Sequence, residues 1–177
     1  MNSNPTLNES LHSIERVKKG DFFLEYGSAC TKIGMLKQGV MRGFVYNEEG
    51  EEITTHFYQE GDMIIGSNLP NVQLSMTVQA LEDCEISIAN YSEVMSYVNK
   101  DENITEVITS QFQKLNQQLQ SRLVSLLNLD ALQKYEQFLT DYPALLNRIP
   151  HYYIAQYLGI TPTQLSRVRR QFINKCT

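Results

Sequence analysis

Between Asp21 and Ser87 the chain is punctuated too often for helices. Turn signals recur at roughly 8–12-residue spacing, and β-branched and aromatic residues fill the runs between them. The segment FFLEYG is followed by TKIGMLKQGVMRGFVY, the turn NEEG at Asn47 to Gly50, EEITTHFY, and the turn QEGD at Gln59 to Asp62. Short strands tolerate this spacing, so the segment reads as a small antiparallel barrel or sandwich. Gly39, Gly50 and Gly61 fall at the punctuating positions, where backbone of positive φ is expected.

From Asn90 the texture changes. Ser92 to Val98 predicts a short helix, and Asn103 to Leu127 a long one without proline. Along the long helix Ile104, Ile108, Leu115, Leu119, Leu123 and Leu126 or Leu127 recur at three- and four-residue steps, with a polar step at Gln111. One reading packs this stripe on its own domain. The other is a two-chain coiled coil with Ile104, Ile108, Gln111, Leu115, Leu119 and Arg122 at the interface and Gln118 near the seam. The second is preferred, because a helix about seven turns long overhangs a small barrel. ALQKYEQFLTDYP then predicts an amphipathic helix that stops before Pro143, since the residue preceding proline disfavours helix.

With 177 residues, 42% hydrophobic and 20% charged, the chain has the composition of one or two ordinary globular domains rather than a disordered or fibrous polymer. Polar residues interrupt the uncharged stretch at 63 to 81, which is therefore no membrane span. The N-terminus lacks the apolar core of a signal peptide, so a cytoplasmic location is expected. Cys30, Cys84 and Cys176 are widely spaced and form no CxxC pair, which argues for reduced thiols.

Charge is unevenly spread. Residues 142 to 177 hold five cations, Arg148, Arg167, Arg169, Arg170 and Lys175, and no acid, so the net −5 leaves −10 on residues 1 to 141. A basic end on an acidic body fits a polyanion reached by that end alone.

That end contains PHYYIAQYLGITPTQLSRVRRQFI at 150 to 173. Ile154, Ala155 and Leu158 mark the buried face of a short helix, Gly159 ends it, and Thr161 begins another. Thr161 and Gln164 have capping-box spacing, and Pro162 takes the first helical position, where its missing N–H costs nothing. With Leu165, Val168 and Phe172 inward, the outer face presents Thr163, Gln164, Ser166, Arg167 and Arg170. Such side chains can bond base edges and phosphates, as a helix-turn-helix requires.

IAQYLGITPTQLSRVRR resembles the helix-turn-helix of the cyclic-AMP receptor protein and fumarate–nitrate regulator family of bacterial transcription factors. The segment from Lys18 to Asp62 is similar to that family's cyclic-nucleotide-binding-type β-roll, with its KxG start, its QG before a strand and its EGD turn. The likeness spans residues 18 to 173. It implies an α+β chain: an antiparallel β-roll sensor domain over 1–100, a dimerisation helix over 101–128 and a helix-turn-helix domain over 129–177. It further implies a homodimer on double-stranded DNA, with Thr161, Thr163, Gln164, Ser166, Arg167 and Arg170 at the contact positions. RNA polymerase and an unidentified small-molecule effector are further partners within that implication.

The sequence departs from the family where nucleotides bind. Leu74 stands where an Arg would meet the cyclic phosphate, and Gly66, Ser67 and Asn68 lie near the place of a Gly-Glu pair. An anionic phosphate without a cation is disfavoured inside a roll, so tight cyclic-AMP binding is not expected. No cysteine cluster for an iron–sulfur centre is present, and a lone His56 reads as structural rather than as a haem ligand. No cofactor or metal is expected. The second helix stops about four residues before the chain does, which leaves no room for a wing hairpin.

An enzyme fits poorly, because His12, His56 and His151 form no HxH or HExxH pattern and there is no GxSxG or P-loop. The alternative is a degenerate sensor that dimerises and binds a protein partner without DNA. The acid-free end argues against it, since loss of DNA contact would remove any reason to exclude Asp and Glu there.

Overall fold

A computed structural model describes residues 13–67 and 69–176. His12 and Asn68, which entered the expectations above, lie outside the described residues, as does the side chain of Cys176. Eight strands come first: β1 (Ser13–Val17), β2 (Phe22–Leu24), β3 (Lys32–Gln38), β4 (Met41–Tyr46), β5 (Glu52–Tyr58), β6 (Met63–Ile64), β7 (Thr77–Ala80) and β8 (Cys84–Asn90). They form two antiparallel sheets ordered β1-β8-β3-β6 and β2-β7-β4-β5. Between the sheets lies an apolar core that includes Phe23, Leu36, Met41, Ile64, Val78 and Ile86. Gly39, Gly50 and Gly61 all have positive φ. At Gly39 even a Cβ would be 2.5 Å from Cys84 Sγ, so the β3–β4 turn excludes any side chain there.

Strand β1 lies upstream of the segment that the sequence marked. SIERV is short and charged, and it sits at a sheet edge, where it pairs with β8 from Ser13↔Ile88 to Val17↔Cys84. Ion pairs Arg16–Glu85 and Lys32–Glu15 brace it. Edge position removes the need for the alternating apolar pattern that strand reading relies on.

Five helices follow: α1 (Tyr91–Tyr97), α2 (Glu102–Asn128), α3 (Ala131–Asp141), α4 (His151–Leu158) and α5 (Pro162–Cys176). Asp101 caps α2 by accepting from the Ile104 N–H, and Asp130 with Gln133 closes a capping box on α3. Helix α3 ends at Asp141, just before the Tyr142-Pro143 pair. At 27 residues, α2 is about 40 Å long.

The stripe on α2 divides. Ile104 and Ile108 belong to the core of the chain's own roll. Past Leu115 one face of the helix opens to solvent while the other still meets β5 through Arg122, and Leu119, Leu123 and Leu127 are 49%, 58% and 74% exposed.

A second core joins the roll to the C-terminal helices. Val40, Phe57 and Leu81 of the roll pack with Tyr135, Phe138, Tyr142, Leu145, Ile154, Leu158 and Leu165. Aromatic edges meet aromatic faces here: Phe57 stands 6.1 Å from Phe138 and 6.0 Å from Tyr142, distances at which quadrupoles attract.

His56 is buried on β5, its ring 4.6 Å from that of Tyr58. Burial holds its pKa down at about 4, against the opposing pull of Asp62; the cations Arg122 and Lys114 add to the lowering. The unfolded chain therefore takes up this proton first. Stability from neutral His56 is complete above about pH 6.5 and is lost as the pH falls to about 4. The loss is on the order of 3 kcal/mol. Urea denaturation between pH 7 and pH 4 should show a steeper decline for the parent than for His56→Gln; parallel curves would contradict this account.

Candidate nucleic-acid interface

Helix α4 presents Ile154, Ala155 and Leu158 to the second core, which fixes its inner face. Gly159 adopts φ 66°, ψ 35°, the left-handed conformation. The Ile160 N–H donates to the Ala155 carbonyl at 3.0 Å and closes the helix end. A Cβ at Gly159 would meet Leu126 at 3.4 Å, so the turn is tight against α2 as well as left-handed.

Two residues on, the cap forms as the spacing predicts. The Gln164 N–H donates to Thr161 Oγ1 at 3.1 Å, and the Thr161 N–H donates to Gln164 Oε1 at 2.9 Å. Leu165 and Val168 are buried, and Phe172 leans edge-on to Tyr135 at 5.7 Å. With that face pinned, Thr163, Gln164, Ser166, Arg167 and Arg170 are exposed, and so is Thr161 at the helix start. Positions 163, 166, 167 and 170 follow the three- and four-residue helical steps and share one face. The first turn of α5 contains no acid, so its N-terminus stays favourable to an anion.

Local bonding limits what some of these groups can offer. Gln164 Oε1 already accepts from the cap, which leaves its amide N–H groups and one lone pair. The Ser166 hydroxyl donates to the Pro162 carbonyl at 3.1 Å and is left with acceptor capacity. Arg167 and Arg170 form no ion pair among the described residues.

The other three cations of the acid-free end are engaged. Arg148 bonds Glu60 and Glu82. Lys175 pairs with Glu136 at 2.8 Å. Arg169 lies 2.8 Å from His151 Nδ1, and desolvation followed by that guanidinium lowers the pKa of His151.

On α2 the expected interface residues have different surroundings. Ile104 and Ile108 are buried in their own roll, while Gln111 and Leu115 are half-buried and Leu119 is exposed. Arg122 donates within its own chain, to the Thr55 carbonyl, to the Thr54 carbonyl at 3.2 Å and to the Tyr157 carbonyl at 3.0 Å. A stripe read from sequence merges residues buried against the chain's own roll with residues that face solvent.

In the roll, Leu74 is 2% exposed, and a Cβ on Gly66 would collide with its side chain. The Leu74 N–H donates to the Ser28 carbonyl at 2.8 Å, and its own carbonyl accepts from Gly27 at 2.9 Å. Leu74 thus fills the space beside Gly66 with an uncharged side chain.

The sequence did not mark the contacts between the roll and the C-terminal helices. Arg42 is 1% exposed; its guanidinium bonds Gln79, Thr54 and Glu52 and lies between the rings of Phe44, at 4.2 Å, and Tyr153, at 4.0 Å. Gln156 accepts from Thr54 at 2.8 Å and donates to the Glu52 carbonyl at 2.7 Å. The one sequence signal was an arginine within the otherwise apolar strand VMRGFVY.

Residues 14–101 match the cyclic nucleotide-binding domain family. No curated protein matches the chain in sequence. Among solved structures, FixK2 from Bradyrhizobium japonicum is similar with a TM-score of 0.83 at 14% identity, over 93% of this chain and 86% of that one. A CooA variant from Carboxydothermus hydrogenoformans gives 0.74 at 18% identity, over 93% and 77%. A Crp/Fnr-family protein from Eubacterium rectale gives 0.72 at 19%, over 94% and 81%. These likenesses establish the fold along nearly the whole chain.

Loss of the cap should be felt locally. Thr161→Ala is expected to destabilise the chain by about 1 kcal/mol in urea denaturation, with Thr161→Ser close to the parent. Equal stability of all three would mean that the reciprocal pair does not hold the start of α5.

Proposed function

From a cyclic nucleotide-binding-type roll set in a Crp/Fnr architecture, we propose that this protein is a sequence-specific regulator of transcription that binds double-stranded DNA as a homodimer. The observation that carries the reading is the capped helix α5, with Leu165 and Val168 inward and Thr163, Ser166, Arg167 and Arg170 outward. Arg167 and Arg170 can take guanine O6 and N7 or phosphate, and Thr163 and Ser166 can take bases or phosphate. Gln164 plays a smaller part, because its cap holds one oxygen lone pair. Thr161 lies where the helix start would approach the backbone.

The dimer seam is assigned to the exposed face of the second half of α2. Leu119, Leu123 and Leu127 recur every four residues on a face that is open in the single chain, and a second copy of that face would cover them. Ile104, Ile108 and Arg122 act from within each protomer, and Gln111 and Leu115 flank the seam. Sedimentation should give a dimer at micromolar concentration, and Leu123→Glu should shift it toward monomer; a monomeric parent would remove the dimer from the proposal.

Sequence-specific binding is tested by selecting bound fragments from random DNA. Affinity for the selected site should fall with salt, log K dropping by about 0.9 per phosphate neutralised for each log unit of salt. Arg167→Ala should cost roughly 1–3 kcal/mol and relax preference at one position of each half-site. Lys175→Ala should have a smaller effect than a free cation would, since Glu136 already engages that ammonium. An unchanged preference in Arg167→Ala would overturn the docking.

No cyclic-AMP response belongs to this reading. Leu74 offers a cyclic phosphate no charge and fills the space beside Gly66. Calorimetric titration with cyclic AMP should show no micromolar binding; saturable heat at that concentration would contradict it.

A further inference from the structure

Arg148 lies in the connection between α3 and α4, a few residues before α4 begins. It donates to Glu60 Oε2 at 3.1 Å and to Glu60 Oε1 at 2.6 Å, and it reaches Glu82 with its remaining N–H groups. Glu60 belongs to the β5–β6 turn and Glu82 to the β7–β8 turn, so one guanidinium ties two separate turns of the roll. Glu60 is itself held, because Oε1 also accepts the Gly39 N–H at 2.9 Å. Its carboxyl pKa is pulled down to about 2, chiefly by Arg148, so the fork stays ionised at any ordinary pH.

On α4 itself Gln156 makes another attachment, to Thr54 and to the Glu52 carbonyl. The body of α4 also meets Arg42 through Tyr153 and Arg122 through the Tyr157 carbonyl, so Arg148 adds a charged anchor at the entry of a helix whose body is held on one side. Helix α5 is fixed to α4 through the left-handed turn at Gly159 and the shared core of Leu158 and Leu165. The direction of α4 therefore sets the direction of the exposed row on α5.

We infer that Arg148, through Glu60 and Glu82, is a positioning residue that sets the angle between roll and reader, and with it the half-site spacing that a dimer accepts. The inference rests on the DNA-binding reading above. Its physical ground is that a bidentate, charge-assisted fork resists rotation in a way that apolar contact does not. A tilt of a few degrees at α4 displaces the far end of α5 by a large part of a base-pair step. Arg148 is one of the five cations that make the acid-free end basic, and its charge is spent on Glu60 and Glu82.

The test has a readout in DNA and one without it. Operators taken from the selection are lengthened or shortened by one base pair between half-sites. The parent should prefer its own spacing by about tenfold, as expected for a defect equivalent to one mismatched pair. Arg148→Ala, and Glu60→Gln combined with Glu82→Gln, should lose most of that preference and keep the base preference within each half-site. Arg148→Lys, which cannot fork across two carboxylates, should regain thermal stability but recover only part of the spacing preference.

Independently of DNA, spin labels are placed through Glu49→Cys and Asn174→Cys in a Cys176→Ser background, with labelled protein diluted into unlabelled. The distance distribution between roll and α5 should be narrow in the parent and broad in Arg148→Ala. A narrow distribution in Arg148→Ala overturns the inference, whether or not the parent binds DNA. Unchanged spacing preference in a variant that still binds overturns it as well. A parent that ignores every duplex sinks the DNA-binding reading separately.

Discussion

Arg122 brings α2, β5 and α4 to one point. The register of β4 against β5 slips between Gly43 and Phe44, which leaves Thr55 without a ladder partner. A bulge of this kind turns carbonyls out of the ladder, and buried carbonyls need donors. Arg122 supplies them to Thr54 and Thr55 and reaches on to Tyr157, over whose ring its guanidinium lies at 4.1 Å. Desolvation lowers its pKa, but the tyrosines beside it oppose the change and the side chain stays cationic. Around it Phe57, Phe138, Tyr142 and Tyr157 form a ring of edge-to-face and tilted contacts. Without that guanidinium three carbonyls would lose a donor, and a buried acceptor left unpaired costs more than an exposed hydrogen bond.

What the sequence made legible follows from the range of the interactions involved. Thr161 and Gln164 bond each other across three residues, Gly159 answers to its own φ, and Leu165 and Val168 follow helical period, so the α4–α5 pair could be built from adjacent letters. Arg122 finds Thr55 at a separation of 67 residues, and Gln156 finds Thr54 at 102. No local pattern marks such pairs. The stripe on α2 was visible, but the point at which it changes neighbours depends on which face of the helix the roll covers. Strand β1 escaped because its charges, paired at an edge, hide the alternation. The acid-free end was legible as a composition, yet Arg148 is drawn to carboxylates of the roll, and a charge count cannot separate that use from contact with an outside polyanion.

The roll and the C-terminal helices are coupled at the level of packing as well as charge. Arg42 is sandwiched between a ring of the roll and a ring of α4, and Glu52 and Thr54 serve both Arg42 and Gln156. Substitution at any one of these positions therefore disturbs the others, and effects there will not add. Inside the roll the chain segment carrying Leu74 zips to Ser28 and Cys30 through backbone bonds, so the space beside Gly66 is closed by the polypeptide itself.

The shared core has a consequence for excision. A fragment starting at residue 129 would keep Tyr135, Phe138, Tyr142 and Ile154 but lose Phe57, Val40 and Leu81, against which they are packed. It would present a sticky aromatic flank to solvent and tend to clump or loosen into a fluctuating helical bundle. The last three helices are a limb of the molecule, inseparable from the body that shapes them.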